Sequence, residues 1–261
     1  MNPQSATTYS RIAVEQRAPV ARITLTHERQ NVINFEMMDE LKLALHELER
    51  HHETSVIVLS GSGEHFSAGV DIPSHTRDKV GLMLCKFHGV IRLLAASHKV
   101  TIACVRGNCL GGGAELALVC AIAFTAADAV WGFPEIKLGC YPPVAAAALA
   151  AVVGQKRAAE LLLTGRIFTG TQAEEMGLAN EAVPGDELGT RVEEFVNELK
   201  TLSPTALSAA KRALYTWDAA HFEKALNHAE QVYREELIDS HDAEEGIRAW
   251  MEKRAPKWTG E

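Results

Sequence analysis

Apolar residues recur along this chain with two different periods. Val20-Ala21-Arg22-Ile23-Thr24-Leu25 alternates as a half-buried strand does. Between Met37 and Leu48 the apolar positions Met38, Leu41, Leu45 and Leu48 fall three or four apart, on one face of a helix. Ser55 to Ser60 is a short β-branched run ended by Gly61-Ser62-Gly63, the mark of a buried strand and turn. Val80 to Ala96 reads as a helix, and Lys99 to Val105 as a strand closed by Gly107-Asn108. Gly111-Gly112-Gly113 opens an apolar helix through Cys120. Ala121 to Ala126 and Ala129 to Phe133 fit strands. Pro142-Pro143 suits the first turn of a helix continuing from Val144 to Val153. Strands and helices thus alternate from Val20 to about Val183, which predicts an α/β fold. Beyond Pro184 only helical periods remain, at Glu187–Leu199, Pro204–Trp217, Phe222–Leu237 and Ala243–Lys253. The expected organisation is a body of residues 1–184 and a helical region of residues 185–261 that packs on it or on a neighbouring subunit.

The 261 residues carry 34 acidic side chains against 26 Lys plus Arg, a net charge of -8. That balance argues against nucleic-acid binding, which needs basic surface, and leaves room for a small anionic ligand in a local basic patch. Apolar residues at 47% and charged residues at 23% exclude a disordered chain. The five cysteines form no C-x-x-C pair, so a reducing cytoplasm is expected. Met1 to Ser10 is polar and does not read as a signal peptide. The apolar stretches are too broken to span a membrane.

Several motifs fail on spacing. Gly61-Ser62-Gly63-Glu64-His65-Phe66 lacks the third glycine of a dinucleotide fingerprint. Around Ser67 the hydrolase pattern G-x-S-x-G fails because position 65 is His65. His46-Glu47 and His51 miss the metalloprotease spacing, no histidine pair has zinc spacing, and no metal is expected. The strongest local signal is Gly107-Asn108-Cys109-Leu110-Gly111-Gly112-Gly113-Ala114-Glu115. Consecutive glycines at a helix start let a ligand approach unpaired amides, which can bind developing negative charge. They equally suit a close crossing of two backbones. Glu115 then falls inside an apolar helix, where a carboxylate is costly unless paired or chemically used. Alternatively it is a first-turn glutamate favourable to the helix dipole. Phe66-Ser67-Ala68-Gly69-Val70-Asp71-Ile72 offers a second close approach to main chain, or an ordinary turn with Asp71 as a cap. Glu135, in Trp131-Gly132-Phe133-Pro134-Glu135-Ile136, would by itself be read as surface charge.

Taken together and in order, these elements resemble the crotonase (enoyl-CoA hydratase/isomerase) superfamily, over nearly the whole chain from Val20 to Trp258. The resemblance implies a ββα spiral core with a C-terminal helical trimerisation region, as homotrimers or as hexamers built from two trimers. It assigns Ala68 and Gly112 to the oxyanion hole, where backbone N–H groups hold a thioester oxygen. Ala68, Gly69, Val70, Asp71, Ile72, Gly111 and Gly112 would line the substrate path. Glu115 and Glu135, 20 positions apart (135 − 115), would be the two catalytic acids. Retention of both favours water addition over isomerisation. Coenzyme A would enter as part of the acyl-CoA substrate, with no separate cofactor. Lys253, Arg254, Lys257 and Arg29 are candidates for the nucleotide phosphates, or simply solvated charge. His75, His88 and Tyr141 are candidates for the acyl pocket.

One departure bears on the substrate. After Gly139, where common hydratases of the family continue with glycines, this chain reads Cys140-Tyr141-Pro142-Pro143-Val144-Ala145. Pro143 has no N–H to offer. Tyr141, Pro143 and their neighbours would build a stiff apolar wall suited to a flat ring. This combination looks most like that of family members hydrating cyclohexa-1,5-diene-1-carbonyl-CoA to 6-hydroxycyclohex-1-ene-1-carbonyl-CoA. The alternatives are a general enoyl-CoA hydratase, an enoyl- or dienoyl-CoA isomerase, and a non-enzymatic RNA-binding protein of the same fold.

Overall fold

The computed structural model describes residues 9–261; for residues 216–220 only the backbone is described. The first eight residues, most of the polar N-terminal stretch, lie outside the described residues. The elements in chain order begin with strands β1 (Ile12–Arg17) and β2 (Val20–Leu25), helix α1 (Phe35–Arg50), β3 (Val56–Gly61) and helix α2 (Val80–Ala96). They continue with β4 (Val100–Val105), β5 (Asn108–Leu110), α3 (Gly112–Leu118), β6 (Ile122–Ala126) and β7 (Val130–Gly132). Then come α4 (Pro143–Val153), α5 (Gln155–Thr164), β8 (Ile167–Thr169), α6 (Gly170–Glu175) and β9 (Glu181–Val183). Helices α7 (Leu188–Lys200), α8 (Pro204–Val232) and α9 (His241–Met251) complete the chain, with a wide helical turn at Tyr233–Leu237.

The fold is α/β, as expected from the alternating periods. One six-stranded sheet runs β1-β2-β3-β4-β6-β9, parallel except for the antiparallel β1–β2 pair. A smaller sheet runs β5-β7-β8. The central strands are apolar on both faces because helices cover them: Val56, Ile57, Val58 and Leu59 of β3 are all buried, as are Ile102, Ala103 and Val105 of β4. Helix α1 starts where the Asn34 side chain accepts the Met37 amide at 2.9 Å, and its buried stripe is the one its sequence period marked.

Two differences from the sequence expectation have simple causes. Strand β1 was not expected, because only Ile12 on this edge strand is buried and the alternation is faint. The segments 204–217 and 222–232 belong to one helix, α8, since no proline or glycine interrupts it after Pro204. Among the described residues, no helix is long and apolar enough to cross a membrane.

The C-terminal helices pack on the body: α7 on β4 and β6, α8 on α2, α4 and β4. Helix α9 lies against the turns at 72–75 and 134–138. A methyl group on Gly246 would meet the Leu138 carbonyl at 2.1 Å, so the two backbones touch. Glu245, 3% exposed, locks the end of the chain there. It accepts from Arg248 Nη2 at 2.6 Å, Arg254 Nη2 at 2.8 Å and the Lys257 amide at 2.9 Å.

Candidate active site

Residues 66–71 thread between two neighbours. The Ser67 and Leu110 amides tie them to β5, donating to the Asn108 and Ser67 carbonyls at 2.9 and 3.0 Å. On the other side the Ile33 amide donates to Gly69 O at 2.9 Å and the Asp71 amide to Ile33 O at 3.0 Å. Between these bonds, the Val70 amide has no partner among the described residues. The Gly112 amide, at the first position of α3, has none either. A methyl group on Gly69 would lie 3.3 Å from the Gly112 nitrogen, and one on Gly112 would lie 3.4 Å from the Val70 nitrogen. The two unpaired amides therefore share one small space, which glycine alone keeps open.

This corrects one sequence expectation. The Ala68 N–H donates to Gln30 O at 2.9 Å, so it is not available to a thioester oxygen. Ala68 remains on the cavity wall, but the amide free to act with Gly112 is that of Val70.

Both glutamates face the same cavity. Glu115 lies one turn into α3 and is 3% exposed. Its Oε1 accepts the Ala145 amide at 2.9 Å, and the Val144 amide also supports it, so the carboxylate caps the start of α4. Pro143, at the first position of that helix, has no N–H to compete. Burial still pushes the Glu115 carboxyl up to about 7. Glu135 sits on the short turn Pro134–Leu138. A methyl group on Gly111, whose φ is +50°, would meet Glu135 Oε1 at 2.5 Å, so the carboxyl lies over the glycine turn. Glu135 Oε2 is buried with no hydrogen-bond partner. Burial, then the nearby Glu115 charge, pushes Glu135 well above the ordinary carboxylate range. The pair therefore titrates together. Two amides, of Val144 and Ala145, stabilise negative charge at Glu115, against only its own amide at Glu135, so Glu115 ionises first and Glu135 keeps the proton.

The rest of the lining consists of side chains. Met83, Leu84, Phe87 and His88 come from α2, Leu138, Pro142 and Pro143 from around the Glu135 turn, and Tyr233 from the wide helical turn after α8. Of the sequence candidates, Gly69, Val70, Ile72, Gly111, His75 and His88 line the cavity, and Asp71 and Tyr141 do not. The Asp71 carboxylate accepts from Ser74 Oγ at 3.2 Å, and the Tyr141 hydroxyl donates to Ala229 O at 2.6 Å. Tyr233, with its ring 5.3 Å from that of Tyr141, takes the cavity position instead. No local sequence signal marks Tyr233, because only the path of α8 brings it here. Arg254 is held by Glu245 and Glu252, while Arg29, Lys253 and Lys257 are exposed. Among the described residues, no group of three or more His, Cys, Asp or Glu side chains is placed to hold a metal ion.

Comparisons with known proteins show the family. The enoyl-CoA hydratase/isomerase family model matches residues 15–261. The chain is 32% identical over 248 residues to a cyclohexa-1,5-dienecarbonyl-CoA hydratase of Thauera aromatica, covering 95% of this chain and 96% of that one. It is 33% identical over 255 residues to a probable enoyl-CoA hydratase of Mycobacterium tuberculosis, covering 97% and 99%. Among solved structures, an enoyl-CoA hydratase/isomerase from Xanthobacter autotrophicus superimposes with a TM-score of 0.85 at 31% identity, covering 95% and 98%. An enoyl-CoA hydratase from Mycobacterium avium subsp. paratuberculosis superimposes with a TM-score of 0.88 at 23% identity, covering 97% and 100%, a likeness of fold.

Proposed function

The chain belongs to the enoyl-CoA hydratase/isomerase family, and on that premise we propose that it adds water across an α,β-unsaturated acyl-CoA, with cyclohexa-1,5-diene-1-carbonyl-CoA as its substrate. The observation that carries the hydratase reading is the pairing of two unpartnered amides, at Val70 and Gly112, with two buried carboxyl groups on one cavity. A conjugated thioester becomes enolate-like when water attacks its β-carbon. The two amides bind the oxygen on which that charge develops, each donor contributing about 10²–10³ in rate. Ionised Glu115 takes the proton from water, and protonated Glu135 delivers one to carbon, a division that positioned carboxyls with unequal surroundings support. With a cyclic diene the attack yields a dienolate, and the proton goes to the far end of the diene. The product is then 6-hydroxycyclohex-1-ene-1-carbonyl-CoA.

The ring is favoured by the cavity wall. Pro142 and Pro143 stiffen the lining, and Leu84 and Phe87 add apolar surface to it. The similar identities to the dienecarbonyl-CoA hydratase and to the general hydratase do not separate the two substrates. A turnover panel of crotonyl-CoA, cyclohex-1-ene-carbonyl-CoA and cyclohexa-1,5-diene-carbonyl-CoA does. Highest kcat/KM on the diene is expected; highest kcat/KM on crotonyl-CoA would replace it with the straight-chain reading. Label from oxygen-18 water retained in the product distinguishes hydration from isomerisation. Homotrimers or hexamers, built by the helices after residue 184, belong to the same proposal and are measured by light scattering.

A further inference from the structure

Among the described residues only two buried side-chain polar atoms have no hydrogen-bond partner, Glu135 Oε2 and His88 Nε2. Both residues line the same cavity. The Glu135 oxygen belongs to the proton donor already described. The His88 nitrogen has no part in that chemistry, and an unsatisfied buried polar atom is costly enough to need a reason.

Its surroundings fix its protonation. His88 lies on α2 with its side chain 1% exposed, and its Nδ1 is 2.7 Å from Oε1 of Glu230 on α8. Arg92 Nη2 donates to the same oxygen at 2.9 Å, while Arg92 Nε is held by Glu223 at 2.9 Å. Burial alone would raise the Glu230 carboxyl, but the bonds from His88 and Arg92 outweigh it and hold Glu230 below the ordinary range. Glu230 is therefore ionised and accepts only, so His88 Nδ1 carries the hydrogen. Burial pushes the imidazole down; Glu230 opposes this, and the Arg92 and Arg234 charges add to it. The ring is therefore neutral at pH 7, and its Nε2 presents a bare lone pair. Around it α2 supplies Met83, Leu84 and Phe87, none of which can donate a hydrogen bond to it. The lining side chains that can donate, the Tyr233 hydroxyl and the His75 ring, make no bond to it, which leaves the position open to a donor on a ligand.

We propose that His88 is a specificity-determining contact whose Nε2 accepts the hydrogen bond of a hydroxyl carried by the acyl group, so that the cleft recognises a hydroxyacyl thioester. The inference rests on the acyl-CoA reading above and deepens it. Glu230 is the positioning residue, since it turns the ring nitrogen into an acceptor, and Arg92 keeps Glu230 charged.

The test is calorimetric titration of the whole protein with 6-hydroxycyclohex-1-ene-1-carbonyl-CoA and with cyclohex-1-ene-1-carbonyl-CoA, which lacks the hydroxyl. The wild-type protein is expected to bind the hydroxylated thioester about 10-fold more tightly. His88→Asn keeps a donor for Glu230 but withdraws the acceptor from the Nε2 position, which the shorter amide does not reach. It should lose most of that preference while its affinity for the deoxy thioester stays within about twofold. If His88→Asn does not melt cooperatively, His88→Phe takes its place and is read the same way. A wild-type preference near one, or a preference that survives the substitution, would overturn the inference and leave the hydratase reading standing. If neither thioester binds the wild-type protein, the functional reading falls and takes the inference with it.

Discussion

The cavity has two walls of opposite construction. One is main chain: residues 66–71 and the Gly111–Gly113 turn present amides, and Glu115 is tied to further amides at the start of α4. The other is side chain: Met83, Leu84, Phe87, His88 and Tyr233 come from helices remote from the glycine turn in sequence. The first wall has almost no freedom, because a single added methyl group at Gly69, Gly111 or Gly112 meets another atom within 3 Å. The second can change residue by residue without moving a backbone. On the proposed function, reaction chemistry belongs to the backbone wall and choice of acyl group to the helical wall.

The largest expected effect falls at the junction of the two. Glu135→Gln should lower kcat by at least ~10² with little change in KM, because it removes the transferable proton while keeping the shape. A wild-type kcat in steady-state assays of that variant would break the acid assignment. Next is Val70→Pro, which deletes one of the two free amides. A loss of about 10²–10³ in kcat, in a variant that still melts cooperatively, is expected; an unchanged kcat would return the oxyanion role to another donor. On the helical wall, Leu84→Ala should shift the kcat/KM ratio between cyclic and straight-chain thioesters by about 10-fold. If it lowered kcat equally on every substrate, the division between the walls would be wrong.

The smallest effect is on stability. Glu135 and Glu115 both hold their protons to higher pH in the folded protein than in the unfolded chain. Over that range the unfolded state binds fewer protons, so this contribution is complete below about pH 4 and is lost as pH rises through the native titration of the pair. Glu135→Gln removes much of that loss. Its melting temperature should exceed the wild-type value at pH 8, with the margin shrinking towards pH 5 in thermal melts.

How legible each wall was in the sequence follows the same division. Glu115 stood out as a charge inside an apolar helix, and the glycine run marked the turn before it. Glu135 became visible only through its spacing in a family pattern. The choice between the Ala68 and Val70 amides was not readable locally. The two flank Gly69, and what separates them is that Gln30, from a distant loop, accepts the first and nothing among the described residues accepts the second. Tyr233 was harder still, and His88 was a pocket candidate whose role was not readable. His88 looks like any histidine on a buried helix face, and its meaning comes from Glu230. Tyr233 reaches the cavity because α8 runs unbroken for 29 residues, where the pattern had suggested two shorter helices.

The lock at Glu245 has a consequence for how the protein matures. The amides at Val70 and Gly112, with Glu115, are formed by the first half of the chain. The turn bearing Glu135 leans on α9, and Arg254 and Lys257 tie the end of the chain to Glu245 on that helix. During synthesis on a ribosome, the residues proposed to grip carbonyl oxygen therefore emerge long before the helix on which the turn of the proposed proton donor leans. A chain cut short ahead of that lock would be a nascent catalyst with a holder and no trigger.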